Sequence, residues 1–129
     1  MNDVYREHSL QECQSWLREL DFLVMEVSFL KTRLSHVVDT SSRRSLIASA
    51  ESYQNDFIRI EEGVKRLLAE VKFQNEQLVY TKGLVDANTS SRIVKSQEYL
   101  RSAMIKLEAE FSGIRKTFNQ WVINSILLS

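Results

Sequence analysis

The amino-acid sequence predicts an all-α fold in which three long helices form an up-down-up antiparallel bundle. Two observations predict it. The 129 residues include no proline and only three glycines, the residues that shape the turns of β-proteins and end helices. In addition, apolar residues recur in alternating steps of three and four over three long stretches. This spacing places them along one face of a helix, as in a coiled coil.

Helix 1 is predicted over residues 5–38. Its stripe is expected to comprise Leu10, Cys13, Leu17, Leu20, Val24, Val27, Lys31, Leu34 and Val38. A second row widens this stripe along one flank and contains Trp16, Leu23, Leu30 and Val37. A face of this width can contact two neighbouring helices at once.

Helix 2 is predicted over residues 43–81 and helix 3 over residues 89–127. The stripe of helix 2 is Leu46, Ala50, Tyr53, Phe57, Ile60, Val64, Leu67, Val71, Gln74 and Leu78. The stripe of helix 3 is Ile93, Gln97, Leu100, Met104, Leu107, Phe111, Ile114, Phe118, Trp121, Ser125 and Leu128. Both stripes keep their rhythm without a slip, so both helices are expected to be continuous.

The two turns are predicted at residues 39–44, DTSSRR, and 81–92, TKGLVDANTSSR, where Ser, Thr, Asn and Asp cluster. Gly83 suits the left-handed residue that often ends a helix. Connections this short make sequential helices antiparallel neighbours. Residues 1–129 are therefore expected to form a single helical-bundle domain, with coiled-coil-like packing similar to that of spectrin repeats.

Two polar features fall within the predicted stripes. Folding the chain about its turns brings Gln74 level with Gln97, and a buried amide pair of this kind would fix the register of helices 2 and 3. The same folding places Lys31 near Ala50 and Trp121, where an indole ring can contact the lysine stem.

Composition limits the classes of function. Acidic and basic residues number 17 each, so the sequence offers no overall positive charge to attract nucleic acid. No apolar run approaches the roughly 20 residues that a transmembrane helix needs. The N-terminal residues lack the pattern of a signal peptide, and Cys13 is the only cysteine. These features favour a cytoplasmic protein.

The sequence predicts no catalytic residue, cofactor or metal. Carboxylate-bridged metal sites in bundles need inward-facing glutamates and a Glu-x-x-His spacing, but Tyr5 and Arg33 stand three residues before His8 and His36. Glycine-rich phosphate-binding loops between a strand and a helix are also missing. Enzyme activity is therefore not expected, and a metal-dependent bundle enzyme ranks last among the alternatives.

An anion site is a minor alternative at the start of helix 2. The sequence TSSR occurs at residues 40–43 and again at residues 89–92, and ordinary helix capping explains both copies. Free amides at this helix end, together with Ser42, Arg43 and Arg44, could also hold a phosphate or sulfate.

The stronger functional indication is apolar surface that the bundle does not need for its core. This candidate interface consists of Phe22, Phe29, Val122, Ile123, Ile126 and Leu127. It predicts a non-enzymatic module that self-associates, as a homo-oligomer, or binds a partner helix. A small-molecule or lipid-binding bundle, with a ligand among Phe57, Phe111, Phe118 and Trp121, is the alternative.

Overall fold

The computed structural model describes residues 1–40, 44–83 and 85–128. Over these residues the chain forms three α-helices: α1 (Asp3–Asp39), α2 (Arg44–Tyr80) and α3 (Ala87–Leu128). Each predicted helix end lies within two residues of the observed one. At 1.5 Å per residue, the 37 residues of α2 extend over about 55 Å. The predicted all-α bundle of three long helices is confirmed.

Contacts at one end of the bundle establish the up-down-up order of the helices. The Arg6 guanidinium, near the start of α1, donates hydrogen bonds to the carbonyl oxygens of Leu78 and Val79 at the end of α2, at 2.7 and 3.4 Å. The amino group of Met1 lies 3.3 Å from the Ser90 hydroxyl at the start of α3. The start of α1 therefore lies beside the end of α2 and the start of α3.

Local side-chain chemistry sets the helix ends. Asn2 caps α1, because its side-chain oxygen accepts a hydrogen bond from the Tyr5 amide at 2.7 Å. Asp86 accepts in the same way from the Thr89 amide, also at 2.7 Å, so α3 begins two residues earlier than predicted. Gly83 has a φ of +89°, which confirms its prediction as the left-handed residue after α2.

The stripes predicted for α2 and α3 form the core. Every α2 position of that stripe is buried except Tyr53, which is half-buried. In α3, Ile114 and Trp121 are half-buried and the other stripe residues up to Ser125 are buried. Two edge-on ring contacts, Phe57 with Phe118 and Tyr53 with Phe118, close the core towards the end of α3, with ring centroids 5.1 and 5.3 Å apart.

The stripe predicted for α1 is rotated by part of a turn. Trp16, Leu23 and Leu30, which the sequence placed on the flank, are buried in the core. Val24, predicted in the centre of the stripe, is 46% exposed. Lys31 is also outside the core, and its ammonium pairs with the Glu61 carboxylate of α2 at 3.1 Å. Rotation towards the Trp16 row buries apolar groups and leaves the lysine charge in contact with water.

The predicted glutamine pair lies in the core and is confirmed. The Gln74 amide donates to the Gln97 side-chain oxygen at 2.9 Å, and the Gln97 amide donates to the Glu12 carboxylate of α1, also at 2.9 Å. Arg101 forms two further hydrogen bonds to Glu12, at 2.7 and 2.8 Å. One polar network therefore connects all three helices at a single level, which fixes their register.

Candidate protein interface

Two aromatic side chains of α1 lie on the outside of the bundle. Phe22 is 56% exposed and Phe29 is 62% exposed. They are seven residues apart, so they occupy the same side of the helix, two turns from each other. Met25, three residues after Phe22, is also exposed and extends the same stripe. The sequence prediction that these phenylalanines remain outside the core agrees with their positions.

Val122 does not belong to this surface, and its prediction as an interface residue was wrong. It is only 2% exposed and packs in the core. Val122 follows Arg115 by seven residues, and Arg115 contacts Glu26 of α1 at 3.7 Å. This row of α3 therefore faces α1. The end of α3 is apolar on nearly all sides, so periodicity alone could not show which of its residues α1 covers.

The other predicted residues of α3 are exposed, but they lie on different sides of the helix. Ile126 is exposed one heptad after Asn119, which contacts Arg33 of α1. Ile123 is exposed in the row of Lys95 and Ser102, and Leu127 in the row of Tyr99, and both rows border the groove with α2. The structure therefore brings Ile126, but not Ile123 or Leu127, to the side that carries Phe22 and Phe29.

A row of charged residues lies between α1 and α3 and defines this side of the bundle. Glu12 pairs with Arg101 and Glu26 with Arg115. Phe29 follows Glu26 by three residues and Ile105 follows Arg101 by four, so these apolar side chains point outward on either side of the charged row. We define the apolar face as Phe22, Met25, Phe29, Ile105 and Ile126.

Met25 and Ile105 were missed in the sequence. Met25 is 70% exposed and Ile105 is 64% exposed. Ile105 precedes Ile126 by three heptads, so the two isoleucines share a row of α3. This spacing could have revealed Ile105, but the apolar end of α3 is a more conspicuous feature of the sequence.

The groove between α2 and α3 provides a comparison. It has a hollow of about 380 Å³ beside Phe73 and Tyr99, which are 61% and 56% exposed. The groove continues from this hollow in both directions along the bundle. In one direction it is lined by Arg92 and Lys95. In the other direction it is lined by four charged residues, namely Arg59, Arg66, Lys106 and Glu110. The rows of the apolar face instead hold Ser15, Ser112 and Asn119, with Arg18 one heptad before Met25, and interface centres are typically poor in charge.

Two carboxyl groups meet between α1 and α3. Hydrogen bonding to Glu19 raises the pKa of the Glu108 carboxyl to about 7, and burial and the negative charge of Glu19 act in the same direction. Glu12, one heptad before Glu19, behaves oppositely, because its hydrogen bonds to Arg101 lower its pKa. Of these two contacts, the one between Glu19 and Glu108 therefore favours a bound proton near neutral pH, and the one between Glu12 and Arg101 does not.

This contact predicts that the fold is more stable at pH 5 than at pH 8. Because the pKa of Glu108 is raised above its ordinary value of 4.5 to about 7, its contribution is fully present below 4.5 and is lost as the pH rises through 7. Allowing for solvent screening, we expect the free energy of unfolding to fall by about 1 kcal/mol over this range. Urea unfolding at several pH values measures this change.

Glu108→Gln should remove most of that pH dependence, whereas Glu98→Gln, at an exposed glutamate of the same helix, should retain it. Equal pH dependence in the chain and in the Glu108→Gln variant would contradict the assignment.

The side chains considered for chemistry are occupied in packing. Cys13 is buried, and burial raises the pKa of its thiol to about 11, so it is protonated at neutral pH. Within the described ranges, no group of three or more His, Cys, Asp or Glu side chains is placed to hold a metal ion. The rings of Phe118 and Trp121, predicted to accept a ligand if the helices separate, contact each other with centroids 5.8 Å apart.

Two of the three residues in the anion-site prediction, Ser42 and Arg43, lie outside the described residues. Arg44 is exposed and begins α2. None of the described helices contains a stretch that is both long enough and apolar enough to cross a membrane.

Comparison of the chain with protein-family models, with curated proteins and with solved structures finds no match.

Proposed function

We propose that this chain is a non-enzymatic helical module that associates with another helical surface through the apolar face, and that it acts as a homo-oligomer. The observation that carries the proposal is the exposure of two phenylalanines, Phe22 and Phe29, on one side of one helix. Aromatic residues and methionine are enriched at the centres of protein interfaces. Burying each phenylalanine side chain against a partner contributes roughly 1.5–3 kcal/mol.

The surroundings of these residues support association with a protein. Glu26, three residues before Phe29, is already paired with Arg115 within the chain, so covering this pair requires no new ion pair. The neighbouring positions of α3 are small or polar, which leaves room for an incoming side chain. A second copy is always present at the concentration of the first, so it is the partner that we propose. Cys13 is a free thiol, which suits the reducing cytoplasm, where we place the protein.

Light scattering tests this proposal, because it measures the mass of the chain in solution. We expect the unchanged chain to have a multiple of the 15.1 kDa chain mass. Replacing both aromatic residues of the face, Phe22→Ser with Phe29→Ser, should reduce this mass to that of one chain. Circular dichroism should show unchanged helix content, because both side chains lie outside the core.

The chain itself offers a matched control. Phe73 and Tyr99 are as exposed as Phe29 and Phe22, respectively, but they lie at the groove between α2 and α3. Phe73→Ser with Tyr99→Ser should leave the mass unchanged. A chain that is monomeric without any substitution would contradict self-association, and a mass lowered only by the control pair would move the interface to the other groove.

A further inference from the structure

We propose that two copies of this chain pack with their apolar faces together and their helices antiparallel, related by a twofold axis at the level of Glu26. This arrangement rests on the proposed function and adds the identity and the direction of the partner. It follows from the levels at which the exposed side chains lie along the bundle.

The contacts between α1 and α3 define those levels. Arg101 lies opposite Glu12, 89 residues earlier, and Arg115 lies opposite Glu26 with the same separation. A residue of α1 is therefore level with the α3 residue about 89 positions later. Glu26 and Arg115 mark the level of the proposed axis.

The apolar face is nearly symmetric about this level. Phe22 lies four residues before Glu26 and Phe29 three residues after it. Ile105 lies ten residues before Arg115 and Ile126 eleven residues after it. A twofold axis at this level, perpendicular to the helices, places α1 against α1 and α3 against α3 of the second copy. Phe22 then meets Phe29 of the second copy, and Ile105 meets Ile126 of the second copy.

The parallel alternative lacks this match. With the axis along the helices, α1 faces α3 of the second copy at unchanged levels. Phe22 then lies near Ser112, and Phe29 lies near Asn119. Each aromatic side chain would cover a polar one. Apolar area would then not be buried against apolar area, and hydroxyl and amide groups would lose their contact with water. The antiparallel arrangement is therefore favoured.

Charge complementarity supports the same direction. Glu19 and Glu108 face each other within one chain on the side that carries the apolar face. Arg33 contacts Asn119 of α3 at 3.2 Å, so it lies on this side as well. The antiparallel axis carries position 33 to the level of position 19, which brings Arg33 of the second copy to the two carboxylates. Their mutual repulsion is then offset between copies, and the pH dependence expected of the single chain decreases on association.

Disulfide cross-linking distinguishes the directions and leaves the apolar residues in place. Ser112 and Asn119 lie seven residues apart in one outward row of α3. In the antiparallel arrangement Ser112 faces Asn119 of the second copy. Mild oxidation of an equimolar mixture of Ser112→Cys and Asn119→Cys chains should therefore give several-fold more mixed dimer than either chain alone. The native Cys13 is fully buried and should not react.

A second mixture tests the parallel arrangement. Phe22→Cys with Ser112→Cys should not cross-link, because these positions lie on different helix pairs of the antiparallel dimer and a disulfide needs Cα atoms within about 7 Å. Cross-linking of this mixture, without the mixed product of Ser112→Cys and Asn119→Cys, would overturn the antiparallel arrangement and leave self-association intact. A monomeric mass of the unchanged chain, with no cross-link in either mixture, would overturn both proposals.

Discussion

Phe118→Ala is expected to lower the free energy of unfolding by about 3–5 kcal/mol, the range for a phenylalanine truncated inside a packed core. Phe118 is fully buried and contacts three other rings, Tyr53, Phe57 and Trp121, with centroids 5.1–5.8 Å away. Three neighbouring rings cannot all move into the space without losing their contacts with one another, so a cavity should remain. Urea denaturation followed by circular dichroism measures the change.

The matched control for this substitution is Phe73→Ala. Phe73 is 61% exposed, so the same truncation should change the free energy of unfolding by no more than about 0.5 kcal/mol. A loss below about 1 kcal/mol in Phe118→Ala would show that the aromatic cluster is loosely packed. That result would favour the alternative in which the helices separate to admit a ligand at this end of the bundle.

The sequence predicted α2 and α3 better than it predicted α1, for a physical reason. In α2 the buried residues other than Gly63 form one row pair, from Leu46 to Leu78, and the apolar residues outside it, such as Ile47, Ile58 and Phe73, do not form a second continuous stripe. The alternating steps of three and four residues therefore fitted only one position of the buried stripe on α2. In α1, leucine and valine occupy both flanks, so two stripes rotated by part of a turn fit the periodicity equally well. Only packing against α2 and α3 decides between them, and it buries Trp16 and leaves Val24 at the surface.

The same ambiguity explains the partial success at the candidate interface. Phe22 and Phe29 stand outside both stripes that fit α1, so their exposure could be predicted from the sequence. Val122 lies in a segment of α3 that is apolar on nearly all sides, where the rotation of the helix relative to α1 determines which residues are covered. Ile105 follows the core residue Met104 but lies outside the predicted stripe, and it joins the apolar face only because α1 brings Phe22 to the same side.

Gln97→Leu is expected to lower the free energy of unfolding by about 1–3 kcal/mol, because it removes one partner from several buried polar groups. The Gln97 side chain accepts a hydrogen bond from Gln74 and donates to the Ser9 carbonyl oxygen and the Glu12 carboxylate. Both glutamines are almost completely buried. In the variant, one N–H group of Gln74 loses its acceptor and cannot reach water, although the other still has the Ile93 carbonyl oxygen at 2.9 Å.

The variant with leucine at both positions, Gln74→Leu with Gln97→Leu, separates stability from register. It leaves no amide unpaired and adds apolar volume to the core, so we expect it to be at least about 1 kcal/mol more stable than Gln97→Leu alone. Leucines do not distinguish one alignment of α2 and α3 from the next, whereas the glutamine pair does. Amide NMR spectra of the double variant should therefore show more peaks than residues. Additive losses of stability and a single set of peaks would instead assign the register to the Glu12–Arg101 pair and the apolar stripes.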